Sequence, residues 1–136
     1  MQLKEIYKPI LRELSEVEKV LEVSLEETKN ESILKLNRFL LESPGKRLRP
    51  AMLILSAKAT VGRRREAISQ QLINLACAIE LIHMASLIHD DVIDHSVLRH
   101  NNPTVNSRWG ADVSIALGDY LYSLAFKLIA TCNNTD

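Results

Sequence analysis

The chain is poor in residues that break or kink a backbone, with four glycines and four prolines in 136 positions, and aromatics make up only 4%. It shows no low-complexity linker, no internal repeat and no strand-type alternation of apolar and polar residues. With a hydrophobic content of 46%, these absences exclude a disordered chain and leave one domain, or part of one, able to bury a core. Net charge is also absent, because 17 basic and 17 acidic residues cancel. No global field draws nucleic acid or an anionic membrane, so any anion binding has to be local. The two cysteines, Cys77 and Cys132, lack CxxC spacing, and Cys77 falls inside the apolar run LACAIELI, where it reads as a small buried thiol. A reduced, cytoplasmic setting is the default. The opening MQLKEIYKPI holds no apolar signal core, and no uninterrupted apolar run reaches bilayer length. The chain therefore reads as soluble, without a transmembrane segment.

What is present is helical periodicity. Leu3, Tyr7, Ile10, Leu14, Val17, Leu21 and Ser24 recur at spacings of four and three, forming one apolar stripe. Pro9 sits in the first turn of that helix or divides off a short preceding one. The stripe fits core packing better than a coiled-coil seam, since it spans only about three heptads. A second helix is predicted over 31–42, with Asn30 or Ser32 as cap, and SPG at 43–45 ends it. A third runs from near Pro50 to Gly62. A fourth, from about Arg65 to Asp94, is apolar all round in its middle and should be enclosed by other helices. NNPT at 101–104 predicts a turn, ADVSIALGDYLYSLAFKLIA a fifth helix that accommodates Gly118, and TCNNTD a polar, fraying end.

The long helix closes on LIHDDVIDHSVLRH. At 100° per residue, with His83 at zero, Asp90 falls at about −20°, Asp94 at about +20° and Ser86 at about −60°. Asp90 and Asp94 share a face and lie about 6 Å apart along the axis. Like charges at i and i+4 repel, and anions at a helix C-terminus oppose its dipole, so a positive partner is called for. Oxygen ligands of this kind suit a hard cation that keeps some of its waters, Mg²⁺ with a phosphorylated ligand. The plainer alternative is solvated aspartates, with Asp94 capping a short helix at HSVLRH.

A second feature is GKRLRP at 45–50, which puts Lys46, Arg47 and Arg49 at the start of the third helix. Free backbone N–H groups, the helix dipole and a planar guanidinium there suit a diphosphate. It is no Walker A loop, lacking GxxxxGK[ST]. His83, about two turns before Asp90, is placed to donate to the same anion, although a lone histidine on an apolar helix is more often a core residue.

These motifs resemble those of the trans-isoprenyl diphosphate synthases, the polyprenyl synthetase family. GKRLRP is similar to its GKRxRP diphosphate motif and LIHDDVID to its first aspartate-rich motif, DDxxD; PTVNSRWG and ALGDYLYS extend the likeness. The resemblance implies an all-α, isoprenoid synthase-type helical bundle, of which 1–136 is the N-terminal part of a single polyprenyl synthetase domain, incomplete. It implies a prenyltransferase condensing isopentenyl diphosphate with an allylic diphosphate. Asp90 and Asp94 would ligate Mg²⁺ with Asp91 in support; Lys46, Arg49 and His83 would hold isopentenyl diphosphate, and Arg99 the allylic diphosphate. Pyrophosphate takes the last proton in that chemistry, so no protein residue is assigned as catalytic base. Small Ala85 and Ser86, five and four residues before Asp90, suggest an open elongation pocket and a geranylgeranyl or longer product.

Two departures stand out. The family's RRG becomes Arg99-His100-Asn101, a weaker cation beside the anion site. The family's second aspartate-rich motif does not occur in these residues, so little or no activity is expected of 1–136 alone, and a homodimer or a complementing C-terminal half is the implied partner. Two rival readings remain: a noncatalytic helical subunit of a heteromeric prenyl synthase, and an HD-type metal phosphohydrolase using His83, His89, Asp90 and Asp94. The second leaves GKRLRP unexplained.

Overall fold

The computed structural model describes residues 3–61 and 68–132. In chain order the elements are α1 (Leu3–Tyr7), a 3-10 turn (Lys8–Ile10), α2 (Leu11–Glu26), α3 (Glu31–Leu41), α4 (Leu48–Val61) and α5 (Gln70–Ile93). They are followed by a hairpin of β1 (Leu98–Arg99) and β2 (Asn102–Pro103), then α6 (Val105–Trp109) and α7 (Ala111–Ala130). The all-α class is as expected. Pro9 lies in the 3-10 turn and divides α1 from α2, where its missing N–H and fixed φ are tolerated. Ile10, Val17 and Leu21 of the stripe are buried in the common core, so the face is used for packing. Leu25 takes the last buried position, not Ser24, which is half-buried.

Local caps set several boundaries. Asn30 accepts from the backbone N–H groups of Ser32 and Ile33 and starts α3. Buried Asn37 donates to the carbonyl of Leu25 (2.6 Å), satisfying one of the acceptors left open at the end of α2. α4 begins two residues before Pro50, whose absent N–H falls within the unpaired first turn; its expected stop, Gly62, lies outside the described residues. α5 begins at Gln70, capped by the Ser69 side chain accepting from Leu72, and the anticipated start near Arg65 also lies outside them.

α5 is the central element. It packs against α2, α4 and α7, as its apolar circumference requires, and Ile73, Cys77, Leu81 and Ala85 have no solvent exposure. Burying each fully enclosed leucine or isoleucine contributes about 1.5–3 kcal/mol. By length and composition α5 and α7 are both apolar enough to cross a membrane, a point on which uninterrupted runs mislead. In α5 the apolar surface faces neighbouring helices. α7 is enclosed less completely and leaves Ile115, Phe126 and Ile129 exposed on one face, within about 60° of arc.

His89 seats α7 against α5. Its Nε2 lies 3.1 Å from the Ile115 carbonyl and 3.8 Å from Asp119, and a Cβ at buried Gly118 would overlap its ring.

Candidate functional site

The acidic end of α5 is fixed by its stop signal. His95 adopts φ +51°, its N–H bonds the Val92 carbonyl, and the Ser96 N–H bonds that of Asp91. These are the two bonds of a Schellman motif, here built without glycine. Residues 95–100 are therefore not the short helix of the plainer alternative. The chain reverses through β1 and β2, with Leu98 opposite Pro103 and Arg99 opposite Asn102. His100 and Asn101 at the tip have φ +48° and +66°, the positive values that a type I′ turn demands. The turn expected at 101–104 thus sits slightly earlier. The Thr104 hydroxyl donates to Ser96 (2.8 Å) and accepts from Ser107 (3.0 Å), closing the hairpin base and capping α6.

This turn delivers Arg99 to Asp91. Nε and Nη2 both donate to the Asp91 carboxylate, with bonds of 2.8–3.3 Å, and Asp91 is buried. The pairing, with Asp90 and Asp94 nearby, raises the Arg99 pKa above its ordinary value. Asp90 and Asp94 are exposed and, among the described residues, their carboxylates make no hydrogen bond or close ion pair. No three His, Cys, Asp or Glu side chains converge as a ready metal site among those residues. Two free carboxylates one helical turn apart still suit a hard, partly hydrated cation such as Mg²⁺, to which protein typically contributes one or two carboxylates.

The basic residues gather near His83, about two turns before Asp90 on α5. Lys46, Arg49 and His83 line one pocket of about 640 Å³, joined by His100 and Asn102 of the hairpin. Burial first, then the Arg49 and Arg99 guanidiniums, holds the His83 pKa below its ordinary value against the pull of Glu80. A neighbouring cavity of about 190 Å³ contains Asp91 and Arg99, walled by Phe39, Met84 and Leu87. Asp90 and Asp94 line neither.

Three residues escaped the sequence reading. Glu18 and Glu80 both pair with Arg47, which lines the same pocket as Lys46 and Arg49 but has its guanidinium committed to these two carboxylates. The Tyr7 hydroxyl donates to the Lys46 carbonyl (2.7 Å). A lone acid inside the apolar CAIELI was the visible signal for Glu80. Ala85 is wholly buried while Ser86 is half-buried, so of the two small residues only Ser86 has side-chain space open to solvent. His89, turned onto α7, stands apart from Asp90 and does not assemble the ligand set of an HD hydrolase.

The family model described as polyprenyl synthetase matches residues 30–136. A geranylgeranyl diphosphate synthase of Methanosarcina mazei is 37% identical over 98% of this chain and 40% of its own length. Heptaprenyl diphosphate synthase component 2 of Geobacillus stearothermophilus is 34% identical over the same shares. Among solved structures, a polyprenyl synthase of Caulobacter crescentus, complexed with calcium and isoprenyl diphosphate, superposes with a TM-score of 0.86 at 30% identity. That match covers 98% of this chain and 39% of the other. The chain thus spans about 40% of the length of the curated relatives it matches.

Proposed function

The chain belongs to the polyprenyl synthetase family and shares its all-helical fold, and from that premise we propose that it furnishes the diphosphate-gripping half of a prenyltransferase site. The reaction is condensation of isopentenyl diphosphate with an allylic diphosphate. One observation carries the reading: Lys46, Arg49 and His83 line a single pocket, while the helix that bears His83 ends in the unpaired carboxylates of Asp90 and Asp94. An anion receptor built partly on α5 and a cation receptor at the end of that helix suit two diphosphates, one of them held through metal.

Lys46, Arg49 and His83 hold isopentenyl diphosphate. Asp90 and Asp94 would hold Mg²⁺, which would supply neutralisation of the leaving pyrophosphate. Asp91 serves indirectly: its carboxylate is committed to Arg99, whose Nη1 remains available for the allylic diphosphate. These residues bind and orient charge; none is assigned as a base. The exposed face of α7 favours a partner, either a second copy or a polypeptide bearing a second aspartate-rich motif. The name of the Geobacillus relative, a component of a synthase, favours a heteromeric assembly, in which a noncatalytic subunit is the second reading. A cytoplasmic setting suits both.

Incorporation of radiolabelled isopentenyl diphosphate with Mg²⁺ tests the proposal. Residues 1–136 alone should give little elongation, and mixing with a chain carrying a second aspartate-rich motif should restore it. Robust elongation by 1–136 alone would contradict the half-site, and no elongation in the mixture would favour the noncatalytic subunit.

A further inference from the structure

Arg47 lies between the two cations assigned to the anion pocket and lines that pocket too, yet its own guanidinium is engaged by carboxylates. Nε and Nη2 donate to Glu18 of α2 and Nη1 donates to Glu80 of α5, which engages three of its five N–H donors. Its side chain is only 10% exposed and that of Glu80 only 5%. The backbone at Arg47 holds φ +52°, a conformation that non-glycine residues adopt only when the surroundings impose it. On the other side of the loop, Tyr7 of α1 fastens the Lys46 carbonyl. A buried ion pair is seldom the most stabilising way to fill a core, and its better-attested use is to select one geometry.

We propose that Arg47 is a positioning residue for the diphosphate pocket. By bridging Glu18 and Glu80 it pins the 45–49 loop to α2 and α5, so that Lys46 and Arg49 on either side face the pocket with His83. The inference rests on the reading of that pocket as a diphosphate receptor. Although Arg47 lines the pocket and keeps two N–H donors, Glu18 and Glu80 already balance its charge, which suits it to positioning the loop more than to gripping the anion.

The test is calorimetric titration of this chain with inorganic pyrophosphate, without divalent metal, using variants that conserve charge. Arg47→Lys keeps the positive charge and loses the fork; Glu18→Asp keeps the negative charge and draws it back by one methylene. Losing a charged hydrogen bond that organises the loop should weaken pyrophosphate binding about ten-fold in Arg47→Lys and about three-fold in Glu18→Asp. In the free variants the amide resonances of Gly45, Lys46 and Leu48 should shift while those of α7 stay in place, which a general loss of stability would not produce. Unchanged affinity in either variant overturns the proposal. So does tighter binding by Glu18→Asp, the behaviour of an arginine released to become a direct ligand. Should Arg47→Lys fail to fold, Glu18→Asp decides alone, since Glu18 is partly exposed on α2. Lys46→Ala separates the two levels: if the parent's pyrophosphate binding survives it, the pocket has been misread and the role of Arg47 falls with it.

Discussion

Arg99 holds Asp91 in a two-pronged grip, Nη2 to Oδ1 at 2.8 Å and Nε to the same oxygen at 3.1 Å, across the hairpin that terminates the central helix. The three aspartates of DDVID are therefore unequal. Asp91→Asn leaves a guanidinium without its counter-charge and should cost about 1–3 kcal/mol, seen as a melting temperature lower by several degrees. Asp90→Asn and Asp94→Asn should leave stability unchanged or raise it by a few tenths of a kcal/mol, because each removes repulsion at a helix C-terminus. Thermal denaturation of the three variants without metal checks the order.

Gly118 and His89 form a notch and its filler. Gly118→Ala gains helix propensity of about 1 kcal/mol, but the new methyl overlaps the imidazole, and overpacking of this kind costs about 1–3 kcal/mol. Net destabilisation should be measured by urea denaturation. His89→Ala in the same chain should remove most of the penalty, giving a non-additive double-mutant cycle.

The depressed pKa of His83 has a defined sign. Its folded value lies below the ordinary 6.5, so the unfolded chain takes the proton first. This contribution to stability is present above 6.5 and is lost as pH falls from there through the folded value. A diphosphate in the pocket counteracts Arg49 and Arg99 and favours the imidazolium. Pyrophosphate binding at about pH 6 should therefore draw a proton onto the protein, read as a buffer-dependent binding enthalpy that His83→Gln diminishes.

The cysteines should react in sequence. Burial foremost, with Glu18 and Glu80 adding, pushes the Cys77 thiol up to about 12, and the residue has no exposure. Cys132 is partly exposed. An aromatic disulfide reagent at about pH 8 should titrate one thiol in the folded chain and the second only on global unfolding.

Much of this was legible because it is local. The bounds of α7 follow from periodicity alone, and Asn30 marks α3 because capping is decided within three residues. The grouping of Lys46, Arg49 and His83 came from the family resemblance carried by GKRLRP and DDVID. The hairpin at 98–103 was hidden, since its strands are two residues long and its turn uses His100 and Asn101 where glycine is the usual signal. The pairing of Arg47 was hidden for a different reason: its partners are 29 and 33 residues away, and a basic residue in a basic motif gives no local sign of them.

The central claim is that Asp90 and Asp94 are held apart from protein partners for a metal-bridged diphosphate. Its most direct measurement is a Mg²⁺ titration followed by NMR at these two residues, with and without pyrophosphate. The account predicts weak effects of Mg²⁺ alone, a marked gain in Mg²⁺ response at Asp90 and Asp94 when pyrophosphate is present, and loss of that gain in Asp90→Asn with Asp94→Asn. Resonances of Asp90 and Asp94 that ignore Mg²⁺ at every pyrophosphate concentration would contradict it.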